Sequence, residues 1–239
     1  MNDIFDEMWP LGPRLLKKGA FPVGTDAVLL SDFAGTLPGK KICDLGCGSA
    51  LIAILLLWEN AGKSAVGVEI NEEAAKTAER NASENGLSDR LDIICGDIRA
   101  HRTVLPGGAF DLTVSNPPYY PAGSGALPLA SARALARGES ECTLADVCAA
   151  ASYVTKWGGS FCMVHKPERL SEALCALTAS GLEPKRLRFI ESRAGKAPSL
   201  FLVDARRGGR PGLKIEPPLV LFGVDGLETD EVKRIYHRL

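Results

Sequence analysis

Lys41-Ile42-Cys43-Asp44-Leu45-Gly46-Cys47-Gly48-Ser49-Ala50 is where a strand must give way to a helix. Lys41 to Leu45 has the short apolar run of a buried strand, and the apolar residues from about Ala50 to Glu59 follow the glycines as a helix. Glycines at such a turn let backbone N–H groups approach a ligand at the helix N-terminus. The spacing Gly46-x-Gly48 lacks the third glycine of a dinucleotide fingerprint, with Leu51 in its place. That glycine gives the close helix–strand packing a pyrophosphate site uses, so a ligand without a pyrophosphate is favoured over a nicotinamide cofactor. Taken alone, the string also fits a plain tight turn.

Downstream the alternation repeats. Ser64 to Glu69 reads as a second strand, and Asn71 caps a helix of good formers that runs to Asn85-Gly86, where glycine can take the left-handed stop conformation. Leu91 to Cys95 is a third strand. Asp111 to Ser115 is a fourth, ended by Pro117 and Pro118 because neither proline can donate to a ladder. Thr143 and Asp146 have capping-box spacing ahead of a helix to about Lys156. Strand Ser160 to Val164, helix Glu168 to Ser180, and strands near Leu187 to Glu191 and Leu200 to Ala205 complete the series. This order predicts a Rossmann-like, doubly wound α/β fold with a mostly parallel seven-stranded sheet. Ligands of such sheets bind beyond the carboxyl ends of the strands, where strand order reverses.

Residues 41–215 form this core within one domain spanning 1–239. Residues 1–40 precede it as an extension in which Val28 onward suits a short helix capped by Thr25 or Asp26. Residues 216–239 follow as a tail with a strand-like Leu219 to Phe222 and a charged helix from about Thr229.

Composition agrees with a globular chain: 46% of residues are hydrophobic and 24% charged. The longest apolar stretch, Ala50 to Trp58, falls far short of the about 20 residues a membrane crossing requires. The first seven residues are acidic where a signal peptide is basic, so a cytoplasmic protein is expected. The 7 cysteines are odd in number and lack Cys-x-x-Cys spacing, and they read as reduced core residues with no metal site among them. Net charge is only -1, but Tyr153 to Ile215 carries 12 lysines and arginines against 5 acids. Clusters at Lys185-Arg186-Leu187-Arg188 and Arg206-Arg207-Gly208-Gly209-Arg210 could dock a polyanion, or could be solvated loop and strand-end charges.

Two acids close the second and third strands, Glu69 and Asp97. An ionised carboxylate can accept both hydroxyls of a ribose, which suits Glu69; Asp97 suits an adenine amino group, and Asp44 the far end of the same ligand, directly or through water. Asp44-Leu45-Gly46-x-Gly48, Val68-Glu69-Ile70-Asn71 and Gly96-Asp97-Ile98 together resemble the class I methyltransferase motifs. The resemblance implies S-adenosylmethionine as cofactor, held by Asp44, Gly46, Gly48, Glu69, Ile70, Asp97, Ile98 and Asn116, with Asp44 toward the methionine end.

Ser115-Asn116-Pro117-Pro118-Tyr119-Tyr120 sets an amide, two rigid residues and an aromatic ring directly after the fourth strand. It resembles the Asn-Pro-Pro-Tyr motif of amino methyltransferases, which act on adenine, guanine or protein glutamine. A conjugated NH2 is a poor nucleophile because its lone pair is delocalised. Accepting its two N–H bonds at the Asn116 side-chain oxygen and the Pro117 carbonyl would aim that lone pair at a sulfonium methyl. Tyr119 could stack on a planar acceptor, with Tyr120 beside it.

Three further stretches resemble tRNA adenine-N6 methyltransferases that modify a valine tRNA next to its anticodon: Phe21-x-x-Gly24-Thr25-Asp26-Ala27-x-Leu29-Leu30, Arg133-x-x-x-Arg137-Gly138-Glu139, and Pro217-Pro218-Leu219 to Tyr236. The resemblance implies a tRNA partner, which the basic cluster suits, with Arg206, Arg207 and Arg210 as candidate RNA contacts; a monomer or weak dimer is expected. An unpaired loop base is also the cheapest to unstack. Protein glutamine N5-methylation, a small-molecule acceptor and a non-catalytic tRNA- or cofactor-binding module remain alternatives.

Overall fold

The computed structural model describes residues 4–16, 24–35, 39–58, 62–117 and 142–238. Its central sheet holds seven long strands, β3 (Lys40–Leu45), β4 (Gly62–Glu69), β5 (Leu91–Cys95), β6 (Phe110–Ser115), β7 (Thr155–His165), β8 (Leu182–Glu191) and β9 (Leu200–Arg207). They lie in the order β8-β9-β7-β6-β3-β4-β5. β9 alone runs against its neighbours; the pairs β4·β5, β3·β4, β3·β6 and β6·β7 are parallel. Each strand expected from the sequence is present, several longer than expected. Two further two-residue strands, β10 (Lys214–Ile215) and β11 (Leu219–Val220), pair with the outer edge of β8, so among the described residues the sheet has 9 strands, the seven expected and these two.

Helices cover both faces because successive strand side chains alternate between two apolar layers. Ile42, Leu112, Val114, Cys162, Val164 and Leu202 face a layer built with α1 (Thr25–Ala34), α2 (Leu51–Trp58), α3 (Glu72–Glu84) and the tail helix α7 (Asp230–Ile235). Cys43, Leu45, Phe161, Met163, Phe201 and Val203 face the other, with α5 (Leu144–Val154) and α6 (Leu170–Ala179). A short α4 (His101–Val104) follows β5. In α2 seven of the eight residues are buried, which is why it reads as apolar all round rather than amphipathic.

Capping chemistry sets the helix ends. Asn71 accepts from the Ala74 amide at 3.0 Å, and Thr143 with Asp146 closes a reciprocal capping box. The helix before β7 stops at Val154 rather than near Lys156, because Thr155 is already extended, its hydroxyl donating to the Ala151 carbonyl at 2.6 Å. α1 departs from expectation too: Gly24 is its N-cap, with no side-chain cap bond. Thr25 lies inside the first turn, turned toward the Tyr236 phenol of the tail.

A small hairpin, β1 (Phe5–Glu7) with β2 (Arg14–Leu16), escapes the sequence reading because three-residue strands carry too little alternation. Its edge is satisfied by asparagine side chains of α3 and its C-cap. Asn81 accepts from the Leu16 amide at 2.9 Å and donates to the Ser49 carbonyl at 3.0 Å. Asn85 exchanges two bonds with the Arg14 backbone, at 2.8 and 2.7 Å. Asn81 is 1% exposed and so ties the hairpin to the loop after β3.

Candidate active site

The order reverses at β3, which is followed by β4 and β5 on one side while β6 and β7 lie on the other, and the crevice opens beyond these carboxyl ends. Asp44 stands opposite Val114 of β6 and Leu45 opposite Val68 of β4, so the ends of the three strands are nearly level. Ser115 fastens two of them, its buried hydroxyl donating to the Leu45 carbonyl at 2.8 Å.

The loop from Gly46 to Ala50 is bent by three left-handed residues, with φ of 73° at Gly46, 55° at Gly48 and 62° at Ala50. Gly46 and Cys47 both donate their amides to the Val68 carbonyl, at 2.9 and 3.0 Å. Ala50 is fully buried and adopts this conformation with a Cβ, a strain of about 1–2 kcal/mol held at the start of α2 by the surrounding packing. Cys47 packs over Gly67 of β4, where a Cβ would lie 2.8 Å from its Sγ. A glycine in mid-strand is the sequence sign of such an approach.

Glu69 is 8% exposed and stitches the crevice together: one oxygen accepts from the Gly48 amide at 2.8 Å, the other from the Asn71 amide at 2.9 Å. Each carboxylate oxygen keeps a second lone pair for a ligand hydroxyl. Asp44 differs. It is 0% exposed, and neither of its oxygens meets a partner at full hydrogen-bond geometry among the described residues. Burial pushes its carboxyl up to about 7; the nearby Ala53 amide at the head of α2 opposes that, and the Glu69 charge adds to it. A buried carboxyl without a full-geometry partner fits a cationic or hydrogen-bond-donating ligand that supplies one. Asp97 is held by Arg99, whose guanidinium binds both of its oxygens, and this keeps its carboxyl below the ordinary range. A ligand amine reaching Asp97 must share those oxygens. Ile70 is 47% exposed and Ile98 partly buried.

Asn116 and Pro117 follow β6 directly, the first partly buried and the second buried. Tyr119 and Tyr120 lie outside the described residues, as do Pro118, Phe21, Arg133, Arg137 and Glu139. The structure therefore brings together Asp44, Gly46, Gly48, Glu69 and Asn116, with Asp97 at the neighbouring strand end. It sets Arg206, Arg207 and Arg210 elsewhere. Because β9 is antiparallel, its last residues sit at the amino end of the parallel strands: Arg206 stands opposite Ser160, which stands opposite Leu112. Arg207 turns inward and donates to the Tyr153 and Thr155 carbonyls.

Other cations do lie at the crevice end. Lys166 follows β7 and reaches the Ser199 carbonyl at 3.4 Å, and Arg193 and Lys196 are exposed in the loop between β8 and β9. They belong to the same basic stretch, but strand direction was needed to separate them from the arginine cluster. His165, at the end of β7, is buried and accepts from the Lys166 amide at 2.8 Å. Burial, followed by the Arg169 charge, pushes it down to about 4, so it is neutral at physiological pH.

All seven cysteines are free, but the expectation of core residues holds only for Cys43, Cys47, Cys148 and Cys162; Cys142 is half-buried, and Cys95 and Cys175 are exposed. Cys95 and Cys175 lie on alternating or helical positions whose outer face the apolar flanks concealed. Among the described residues no group of three or more His, Cys, Asp and Glu is placed to hold a metal ion, and no helix is long and apolar enough to cross a membrane.

Residues 37–204 match the family described as Methyltransferase domain. A tRNA1(Val) (adenine(37)-N6)-methyltransferase of Tolumonas auensis is 31% identical, over 89% of this chain and 86% of the relative. A protein of the same name from Porphyromonas gingivalis is 31% identical, over 78% of this chain and 75% of the relative. Among solved structures, a predicted O-methyltransferase from Agrobacterium tumefaciens superposes with TM-score 0.72 at 22% identity, covering 90% of this chain and 96% of that one. A ribosomal protein L11 methylase from Lactobacillus delbrueckii subsp. bulgaricus gives 0.60 at 18% identity, covering 84% and 90%. At these identities the structures bear on the fold alone.

Proposed function

Because the chain belongs to the methyltransferase-domain family, and with it to the family of the tRNA1(Val) (adenine(37)-N6)-methyltransferases, we propose that it methylates the exocyclic N6 of an adenine in tRNA. The methyl donor is S-adenosylmethionine, which supplies a methyl group on a positively charged sulfur. Asp44, Gly46, Gly48, Glu69 and Asp97 hold it: Glu69 by its remaining lone pairs to the ribose hydroxyls, Asp44 at the methionine end. The observation that carries the reading is the placing of Asn116 and Pro117 at the carboxyl end of β6, beside β3 with its glycine loop and buried carboxyl.

There the Asn116 side-chain oxygen and the Pro117 carbonyl accept the two N–H bonds of the adenine amine. This pulls the lone pair out of conjugation and points it at the methyl carbon. With the donor bound, Asn116 and Pro117 would hold the amine in line so that the new N–C bond could form as the S–C bond broke, the bonding pair leaving with the sulfur. The extra proton on nitrogen passes to water. Neither a metal nor a covalent intermediate enters the sequence of events.

Labelled cofactor, incubated with total tRNA, ribosomal RNA and protein extract in parallel, tests the acceptor: the label should appear as N6-methyladenosine in tRNA. Asn116→Ala should lower turnover by about 10²–10³-fold, the usual cost of losing one positioning hydrogen-bond group, and leave cofactor affinity nearly unchanged. Label recovered on a protein glutamine, or native turnover in the Ala variant, would defeat the reading.

A further inference from the structure

At the end of the sheet opposite the crevice, the backbone is arranged to hold a tryptophan out in water. The β6·β7 pairing slips between Phe110 and Leu112, and Lys156 to Gly159 bulge out of the ladder. Two glycines make the bulge possible: Gly158 has φ of 75°, and a Cβ on Gly159 would lie 2.8 Å from Thr155 Cγ2 and 3.0 Å from the Asp111 carbonyl. β-Bulges re-aim side chains, and this one leaves Trp157 78% exposed. One face of the indole rests on Gly208, where a Cβ would come within 2.3 Å of the ring. The ring is thus fixed on a floor of backbone while most of its surface stays wet.

Cations flank its floor residue, Gly208. Arg206 and Arg210 are exposed and make no ion pair among the described residues. Lys185 donates to the Arg210 carbonyl at 2.9 Å, which draws its ammonium to the same rim. Lys156 is neutralised by Asp111 at 2.6 Å, and Arg207 is committed to backbone carbonyls. Glu183 stands across the strands from Arg206. A flat aromatic surface beside an excess of positive charge is complementary to an unpaired base and its flanking phosphates.

We propose that this ledge is a second RNA-docking surface, on which an unpaired base of the tRNA stacks on Trp157 while Arg206, Arg210 and Lys185 hold the adjoining phosphates. The inference rests on the tRNA reading above and adds a contact remote from the chemistry. Arg206 is level with Leu112, four residues before Asn116, so the ledge lies about 13 Å back along the strands, toward their amino ends. The nucleotide being methylated cannot occupy both places. The base assigned to the ledge is one outside the loop that carries the acceptor.

Length dependence is therefore the test, with the full chain and two probes: a full-length tRNA transcript and its isolated anticodon stem-loop. Trp157→Ala should raise KM for the full-length transcript about tenfold, in the range for loss of one stacked base, with kcat unchanged. KM for the stem-loop should stay at the native value, and Trp157→Phe should restore most of the loss. Arg206→Glu with Arg210→Glu should flatten the salt dependence of full-length binding. If native protein methylates both RNAs and the variants match it, the ledge is refuted and the activity stands. Equal losses on both RNAs, or a Trp157→Ala variant that changes only the oligomeric state, also overturn it. Native protein that methylates neither RNA overturns the tRNA reading and the ledge together.

Discussion

Asp44→Asn is expected to remove a pH dependence from cofactor binding. In the free protein the Asp44 carboxyl is fully buried, meets no partner at full hydrogen-bond geometry among the described residues, and is pushed up to about 7, chiefly by burial. A cationic ligand end binds the ionised form, so below pH 7 binding must first release a proton. The apparent Kd should then rise about tenfold for each unit below 7, or about 1.4 kcal/mol per unit, and level off above it. Calorimetry of S-adenosylmethionine binding between about pH 5.5 and about pH 8.5, in buffers of different protonation heat, reads both quantities. Proton release should approach about one per cofactor at the acid end and vanish at the alkaline end. The Asn variant should bind more weakly at alkaline pH and show neither trend. A flat Kd in the native protein, or the same slope in the variant, would refute the argument.

The same group sets a sign for stability without cofactor. Its folded value, about 7, exceeds the ordinary 3.8, so the native state holds the proton more tightly than the unfolded state does. Stability from this group is therefore greatest below about pH 4 and declines as pH rises to 7, by an amount on the order of 4 kcal/mol. Asp44→Asn should recover part of that at pH 8 and little at pH 4.

Two further substitutions probe how the crevice and the opposite edge are built. Glu69→Gln keeps size but turns an amide NH2 toward one of the two backbone N–H groups that Glu69 now accepts; cofactor affinity should fall and thermal stability drop by about 1–3 kcal/mol. An unchanged melting temperature would show that these bonds are not formed in solution. Arg207→Ala should destabilise by about 1–3 kcal/mol because the Thr155 carbonyl loses the guanidinium donor, while the Tyr153 carbonyl keeps the Gly108 amide at 2.8 Å, without a specific loss of RNA affinity in the folded fraction. An intact melting temperature with weakened RNA binding would return Arg207 to the RNA-contacting role.

What was readable from the residues is what short-range physics dictates. The alternation of strand and helix, the Asn71 cap, the Thr143–Asp146 capping box and the glycine turn after Leu45 depend on neighbours a few residues away, and they appear where the residue types place them. The acids at successive strand ends were readable for the same reason: in a parallel sheet every carboxyl end faces one side, so Asp44, Glu69 and Asp97 converge once the strands are known. Only the tertiary structure decided which charges share an end. A single antiparallel strand, β9, carries Arg206, Arg207 and Arg210 away from Asn116, although chain order lists them in the same basic stretch as Lys166, Arg193 and Lys196. Likewise no local rule distinguishes Asp44, fully buried, from Glu69, bonded twice to backbone amides, or lifts Trp157 from a bulge onto the backbone of Gly208. Burial and register are properties of the packed chain, because each depends on residues that are remote in sequence and meet only when the sheet closes.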